Sequence, residues 1–288
     1  MRFALATTHE NTTWEAVTTI WDVADKIDLW ESAWTGDHFV PFLGDANGPC
    51  YEGWTSLTAL AARTRRIRCG ILVAGMPHRH PAVLAKMAGT LDVASGGRLT
   101  LGLGAAWNEV ELGAFGIELG DLRTRFDRFD EGVEVITRLL ADETTTFQGQ
   151  HYQLVEARCS PKPVQAPRLP ITIGGPGERR TARAVARWAD HWDLGFTRPE
   201  DIQAKRKALA EHCAAIGRDP STVTLSAVVL TRQPDNARRD TGEVADEIEA
   251  YAEAGCTLAL VQALADNPDD ARFEIEQLTA TCEPLAAA

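Results

Sequence analysis

No apolar run in this chain approaches the roughly 20 residues that span a bilayer, so no membrane role is expected. The first residues, MRFALATTHE, lack the length and cleavage site of a secretory signal. Cysteines are scattered, at positions 50, 69, 159, 213, 256 and 282, with no C-x-x-C pair. That argues against a zinc knuckle or a disulfide framework and for free thiols in a reducing, cytoplasmic setting. Excess positive charge is missing too. The chain carries 29 Lys and Arg against 41 Asp and Glu, and a net charge of −12 speaks against nucleic acid as a partner. Repeats, low-complexity tracts and linkers are absent, so residues 1–288 read as a single domain.

What is present is alternation. Strand-like and helix-periodic segments follow one another along the whole chain. The strands are RFALAT, WESAWTG, IRCGILVAG, RLTLGLG, LPITIGG, HWDLGF, TVTLSAVVL and CTLALVQAL. IRCGILVAG is nearly all apolar, as a strand buried on both faces should be. Eight strand–helix units imply a parallel sheet with right-handed crossovers. The fold class is therefore α/β, and the closed solution is a (β/α)8 TIM barrel. A doubly wound open sheet is the second choice. One stretch breaks the rhythm, an insertion at approximately 108–168 between strands four and five. It holds the helix RFDRFDEGVEVITRLLA, a small hairpin in TTTFQGQHYQLVEA and a proline-rich return. Barrel insertions of this kind are expected to cap the C-terminal rim, where barrel chemistry sits.

The strand ends therefore supply the candidates. In GRLTLGLGAAWNEVE, strand four is stripped of bulk at Gly102, Gly104, Ala105 and Ala106, then meets Trp107 and Asn108. Two readings stand: a backbone approached closely by something flat, or a tight strand-to-helix turn. In ITIGGPGERR a strand runs through Gly174, Gly175, Pro176 and Gly177 into a helix. Backbone N–H groups and the helix dipole favour a phosphate there, although glycine-rich βα turns are also common without one. Arg179, Arg180 and Arg183 follow, some of them simply on a solvated helix face. His38 lies at a strand end beside Asp37, with the proton affinity general acid–base work needs. It reads as a catalytic group or as a hydrogen-bonded rim residue. Asp37 orients it or caps the next loop. A metal site built from Asp37, His38, His78, His80, Asp190 and His191 is conceivable. It is disfavoured because Pro81 starts a helix directly after the HRH run and no further histidines lie on the late strands, so no metal is expected.

At these residues the sequence resembles the bacterial luciferase-like monooxygenase superfamily. AWTGDHF, RHPAVLAKMAGTLDVASGGRLTLGLGAAWNEVE, FQGQHYQL, PKPVQAPRLPITIGGPGERR and ARWADHWD occur in that family's order, over about residues 1 to 200. The likeness is greatest to the branch of F420-dependent oxidoreductases. It implies an insertion-bearing barrel, a homodimer and a bound coenzyme F420, with FMN as the alternative. It implies that His38 lies near the redox ring and that Leu72 and Val73 line the ring face, with a non-proline cis peptide between them or one bond later. It further implies that Gly104, Ala105 and Asn108 line the cofactor groove and that Gly174, Gly175 and Gly177 hold the phosphate. Asp37, Trp107 and Pro176 complete the expected cofactor contacts. The related sugar-phosphate dehydrogenases carry a glutamate at the position of Ala105, so that substrate is not expected. Members often carry glycine where this chain has Ala106. The implied activity is hydride transfer between F420 and a small organic substrate. The alternatives are FMN-dependent monooxygenation using reduced flavin from a partner reductase, and a non-catalytic flavin- or deazaflavin-binding barrel. An F420 or flavin reductase is the implied partner. An acidic cofactor tail would need a basic groove, for which Arg179, Arg180 and Arg183, with Arg123 and Arg125 of the insertion, are the candidates.

Overall fold

The structure is a computed structural model that describes residues 1–233 and 236–286. In chain order its elements are β1 (Arg2–Thr7), α1 (Trp14–Ala24), β2 (Trp30–Thr35), α2 (Gly53–Arg63), β3 (Arg68–Ile71), β4 (Ala74–Gly75), α3 (Pro81–Ala94), β5 (Leu99–Gly104), α4 (Glu109–Ala114) and α5 (Leu122–Ala141). There follow β6 (Thr145–Gln148), β7 (Gln153–Ala157), β8 (Ile171–Gly174), α6 (Arg180–Trp188), β9 (His191–Asp193), α7 (Ile202–Ala214), β10 (Thr224–Val229), α8 (Thr241–Ala254), β11 (Leu258–Ala263) and α9 (Pro268–Ala286).

Side-chain chemistry sets these boundaries. Thr13, Glu52, Asn108, Asp121 and Asp240 each cap a helix by accepting a backbone N–H. Pro81 opens α3, where its missing N–H costs nothing. The sheet is wholly parallel and closed. Its order runs β3-β2-β1-β11-β10-β9-β8-β5, and β3 pairs back onto β5 through Cys69↔Leu99 and Gly70↔Thr100. The result is the (β/α)8 barrel rather than the open sheet.

Strand three is broken into β3 and β4. Between them the Leu72–Val73 peptide is cis, as the resemblance implied. The Ser160–Pro161 and Ala166–Pro167 bonds are cis as well. The core between barrel and helices is continuous and includes Trp21, Trp30, Trp54 and Trp192. A smaller cluster of Ala4, Trp34, Val228, Leu258 and Leu260 fills the barrel interior, where Gly70 leaves room for the Trp34 ring.

The long connection differs from expectation in one respect. Helix α5 packs between α3 and α6, so it completes the outer ring of helices. The antiparallel β6–β7 hairpin packs on α5, held by the Glu131 carboxylate, which accepts from the N–H groups of Gln150, His151 and Tyr152. Its apolar contacts are thus satisfied on the flank. Residues 105–111 and the first two turns of α5 reach the rim instead.

Candidate active site

A cavity of about 1170 Å³ opens at the C-terminal ends of the strands. That is large enough for a cofactor together with a small substrate. Its wall is built at β5. A Cβ added to Gly104 would lie 2.6 Å from Val73 Cγ2, and one added to Gly174 would lie 2.9 Å from the same atom. At Gly102 it would fall on the Ile71 carbonyl oxygen. The bulk removed from strand four therefore makes room for Val73, which the break between β3 and β4 pushes against β5 and β8. The space that an added Cβ would need at Gly102 and Gly104 is thus taken by Ile71 and Val73. Leu72, Val73, Ala105, Trp107 and Asn108 all line the cavity. Ala106 holds a left-handed backbone, φ 61°, a conformation glycine adopts more readily.

His38 is held by a residue the sequence reading passed over. Its Nδ1 lies 2.8 Å from Glu111 Oε2. Glu111 Oε1 accepts the backbone N–H of Phe39 and, at 3.4 Å, that of Val40. Asn108 caps α4 by accepting the N–H of Glu111 at 3.1 Å, so it fixes the start of the helix that carries this carboxylate. The signal was available in AAWNEVE: a capping Asn followed three residues later by an acid. The His38 ring also packs against Phe42 at 4.5 Å and edge-on to the exposed Trp107 at 5.8 Å.

Asp37 does not orient His38. Its buried carboxylate receives both Arg79 nitrogens at 2.7 and 2.9 Å, His78 Nδ1 at 3.1 Å and the Gly75 N–H at 3.1 Å. Burial alone would push this carboxyl up, but the hydrogen bonds from His78 and Arg79 and the charge of Arg79 hold it below the usual range. Arg79 also reaches Glu52, the cap of α2. Asp37 thus ties β2, β4 and α2 together beneath the rim. His80 caps α3, and His191 lies inside the barrel.

Two further groups line the cavity from the loop after β1. The buried Glu10 accepts the Phe42 N–H at 2.8 Å, and burial pushes its carboxyl up to about 7. His9 is buried, with no partner for Nε2 among the described residues, and burial pushes it down to about 4. At the β8 end, Gly175 has φ 111° and, among the described residues, nothing within 4 Å of an added Cβ. Helix α6 starts after it with no side-chain cap.

The basic groove is largely neutralised. Arg180 pairs with Asp127 and Asp130 at 2.6 Å, Arg183 with Asp130 at 2.7 Å and Arg123 with Asp127 at 3.7 Å. Among the described residues, Arg125 and Arg179 have no carboxylate partner. Among the described residues no helix is long and apolar enough to cross a membrane.

Residues 1–280 match the family model described as luciferase-like monooxygenase. An uncharacterised protein of Mycobacterium tuberculosis is 33% identical over 248 residues, 83% of this chain and 81% of that one. An F420-dependent glucose-6-phosphate dehydrogenase of Amycolatopsis mediterranei is 31% identical over 175 residues, 60% of this chain and 50% of the relative. In shape the chain is similar to an F420-dependent secondary alcohol dehydrogenase solved with an F420–acetone adduct. The TM-score is 0.84 at 20% identity, over 97% of both chains. The barrel, the broken third strand and the match over almost the whole length agree: this chain is an oxidoreductase and belongs to the luciferase-like monooxygenase family.

Proposed function

We propose that this protein transfers a hydride between coenzyme F420 and a small organic substrate. The observation that carries the proposal is the joining, in one cavity, of an open glycine turn at an uncapped helix start with a His38–Glu111 pair at the opposite rim. The turn fits the phosphate. Gly175 leaves its surroundings free, and the first N–H groups of α6 find no side-chain cap. Gly174, Gly175, Pro176 and Gly177 would hold the phosphate, and Leu72, Val73, Ala105 and Asn108 would flank the ring, with Gly104 behind Val73. When bound, F420 supplies a ring carbon that carries hydride and reacts poorly with oxygen.

The chain's own residues supply the proton chemistry. Glu111, on the rigid start of α4, accepts Nδ1–H of His38 and leaves Nε2 as the acceptor for a substrate hydroxyl. Glu10, with its affinity near neutrality, holds or releases a proton beside that rim. Phe42 and Trp107 offer apolar faces that exclude water around His38. Because Arg180, Arg183 and Arg123 already have carboxylate partners, a long acidic cofactor tail gains little here.

Fluorescence titration of F420 and FMN at two salt concentrations tests this. F420 should bind more tightly, with the gap narrowing only slightly in salt. Tighter FMN binding, with oxygen uptake on reduced flavin, would replace the proposal by monooxygenation. Saturating reduced cofactor without turnover of any carbonyl substrate would leave a binding protein. A homodimer served by an F420 or flavin reductase is part of the proposal, and the solution mass tests the first point.

A further inference from the structure

The barrel interior holds a polar chain that the chemistry above does not use. His191 Nδ1 is 2.9 Å from Thr172 Oγ1, and its Nε2 is 2.6 Å from Ser226 Oγ. Ser226 Oγ is 2.9 Å from Asp193 Oδ1. All four residues are buried, across β8, β9 and β10, and the His191 ring lies edge-on to Trp34 at 5.8 Å. Of the four, Asp193 lines the cavity. Its register partners across the sheet are Gly174, which has no side chain, and Ser226, the next member of the chain.

Each hydroxyl and the neutral imidazole both donate and accept, so the chain has two self-consistent directions. With Asp193 ionised, Ser226 donates to it, Nε2–H donates to Ser226, and Thr172 donates to Nδ1. With Asp193 protonated and donating, Ser226 donates to Nε2, and Nδ1–H donates to Thr172. A mixture would set two donors against each other between buried side chains. His191 remains neutral in both, because burial and then the Arg2 charge push it down to about 3. Burial pushes Asp193 up to about 6, opposed by the Ser226 hydroxyl and the Gly195 backbone. Among the described residues the Cys256 thiol lies in its field, and burial and the Asp193 charge push that thiol up to about 12.

We propose that Asp193 is a ligand-reading residue on the cavity floor, accepting an N–H or O–H from the bound molecule while the Ser226–His191–Thr172 chain registers its charge. The chemistry it selects is a hydrogen-bond donor on the deep side of the ligand, from a ring N–H or from a polyol chain. The ligand contact rests on the proposed cofactor; the relay does not.

The test is 15N NMR of imidazole-labelled protein from pH 4.5 to 8, with the His191 signal assigned by its loss in His191→Gln. In the free protein His191 should carry its proton on Nε2 above the crossing and on Nδ1 below it, with the crossing near pH 6. Asp193→Asn and Ser226→Ala should each leave one tautomer throughout. A single tautomer in the unsubstituted protein, or a crossing that survives Asp193→Asn, overturns the relay. Saturating FMN or F420, with occupancy read from ligand fluorescence, should lower the crossing by about one pH unit, a tenfold preference for the charged form. An unmoved crossing at full occupancy overturns the contact. Failure of both to bind removes the contact together with the cofactor proposal, while the relay is judged on the free protein. Lumiflavin, which lacks the polyol, separates the donors: a shift with lumiflavin assigns the ring N–H, and a shift with FMN alone assigns a chain hydroxyl.

Discussion

Gly104→Ala tests the reason for the stripped end of strand four. The new methyl would stand 2.6 Å from Val73 Cγ2, about 1 Å inside ordinary carbon contact. Neither side gives way easily. Gly104 is in register with Gly75, and Leu103 beside it is in register with both Ala74 and Ile173. Overpacking of this kind costs about 1–3 kcal/mol. Val73→Ala removes methyls from a half-buried site and should cost about 1 kcal/mol. In the double variant the nearest remaining atom of residue 73 is Cβ, at 3.8 Å, which is normal contact. The pair should therefore be more stable than the sum of the single changes by about 1–3 kcal/mol. Gly102→Ala is the control. Its methyl meets the Ile71 carbonyl oxygen, a backbone atom, so Val73→Ala should relieve it little. Urea midpoints of the cycle, with fluorescence and circular dichroism required to coincide, supply the numbers. Additivity of the Gly104 and Val73 changes within about 0.5 kcal/mol would refute the reasoning.

His38→Ala should lower turnover by about 10²–10⁴-fold while cofactor affinity changes far less; an affinity loss with kcat unchanged would make it a binding residue. Glu111→Gln keeps the shape of the pair but presents one oxygen where His38 and the Phe39 N–H now share two. It should lower kcat about 10–100-fold and shift the pH–rate profile, and an unchanged profile would reduce Glu111 to a structural role. Glu10→Gln should stabilise the fold at pH 8 by about 2 kcal/mol, because folding raises this carboxyl from 4.5 to about 7 and so disfavours its charge. The sign follows from that order: the penalty is full above the folded value and vanishes below the unfolded one. The stability gap, read from urea midpoints, should therefore close as pH falls from 8 towards 4.5.

The barrel was legible because its signal is periodic. Eight apolar strand segments, each separated by a helix, admit few closed arrangements, and the strand ends name the rim without further information. The long connection was less legible. RFDRFDEGVEVITRLLA has the helix period, but whether such a helix covers the rim or fills the ring between α3 and α6 depends on contacts that period alone does not encode. Charge was harder still. Arg180 and Arg183 look like an anion groove on a helix that follows a glycine turn. Asp127 and Asp130, fifty residues earlier, neutralise them because α5 lies beside α6.

The two carboxylates near His38 show where residue-level inference meets its limit. Asp37 is adjacent in sequence, and adjacency suggested a partnership. Successive residues of an extended segment point to opposite sides, however, so the neighbour of a rim histidine faces away from it. Asp37 accordingly turns to Arg79 and His78, while the histidine finds a carboxylate 73 positions later, delivered by the turn after strand four. Gly104, Ala105 and Ala106 carry the chain across the rim, Asn108 starts the helix, and the helix places Glu111 under His38. The same fifteen residues thus make room for Val73 at one end and fix the proton-handling pair at the other. A change that shifts α4, such as loss of the Asn108 cap, would disturb His38 while leaving the glycine turn at β8 in place.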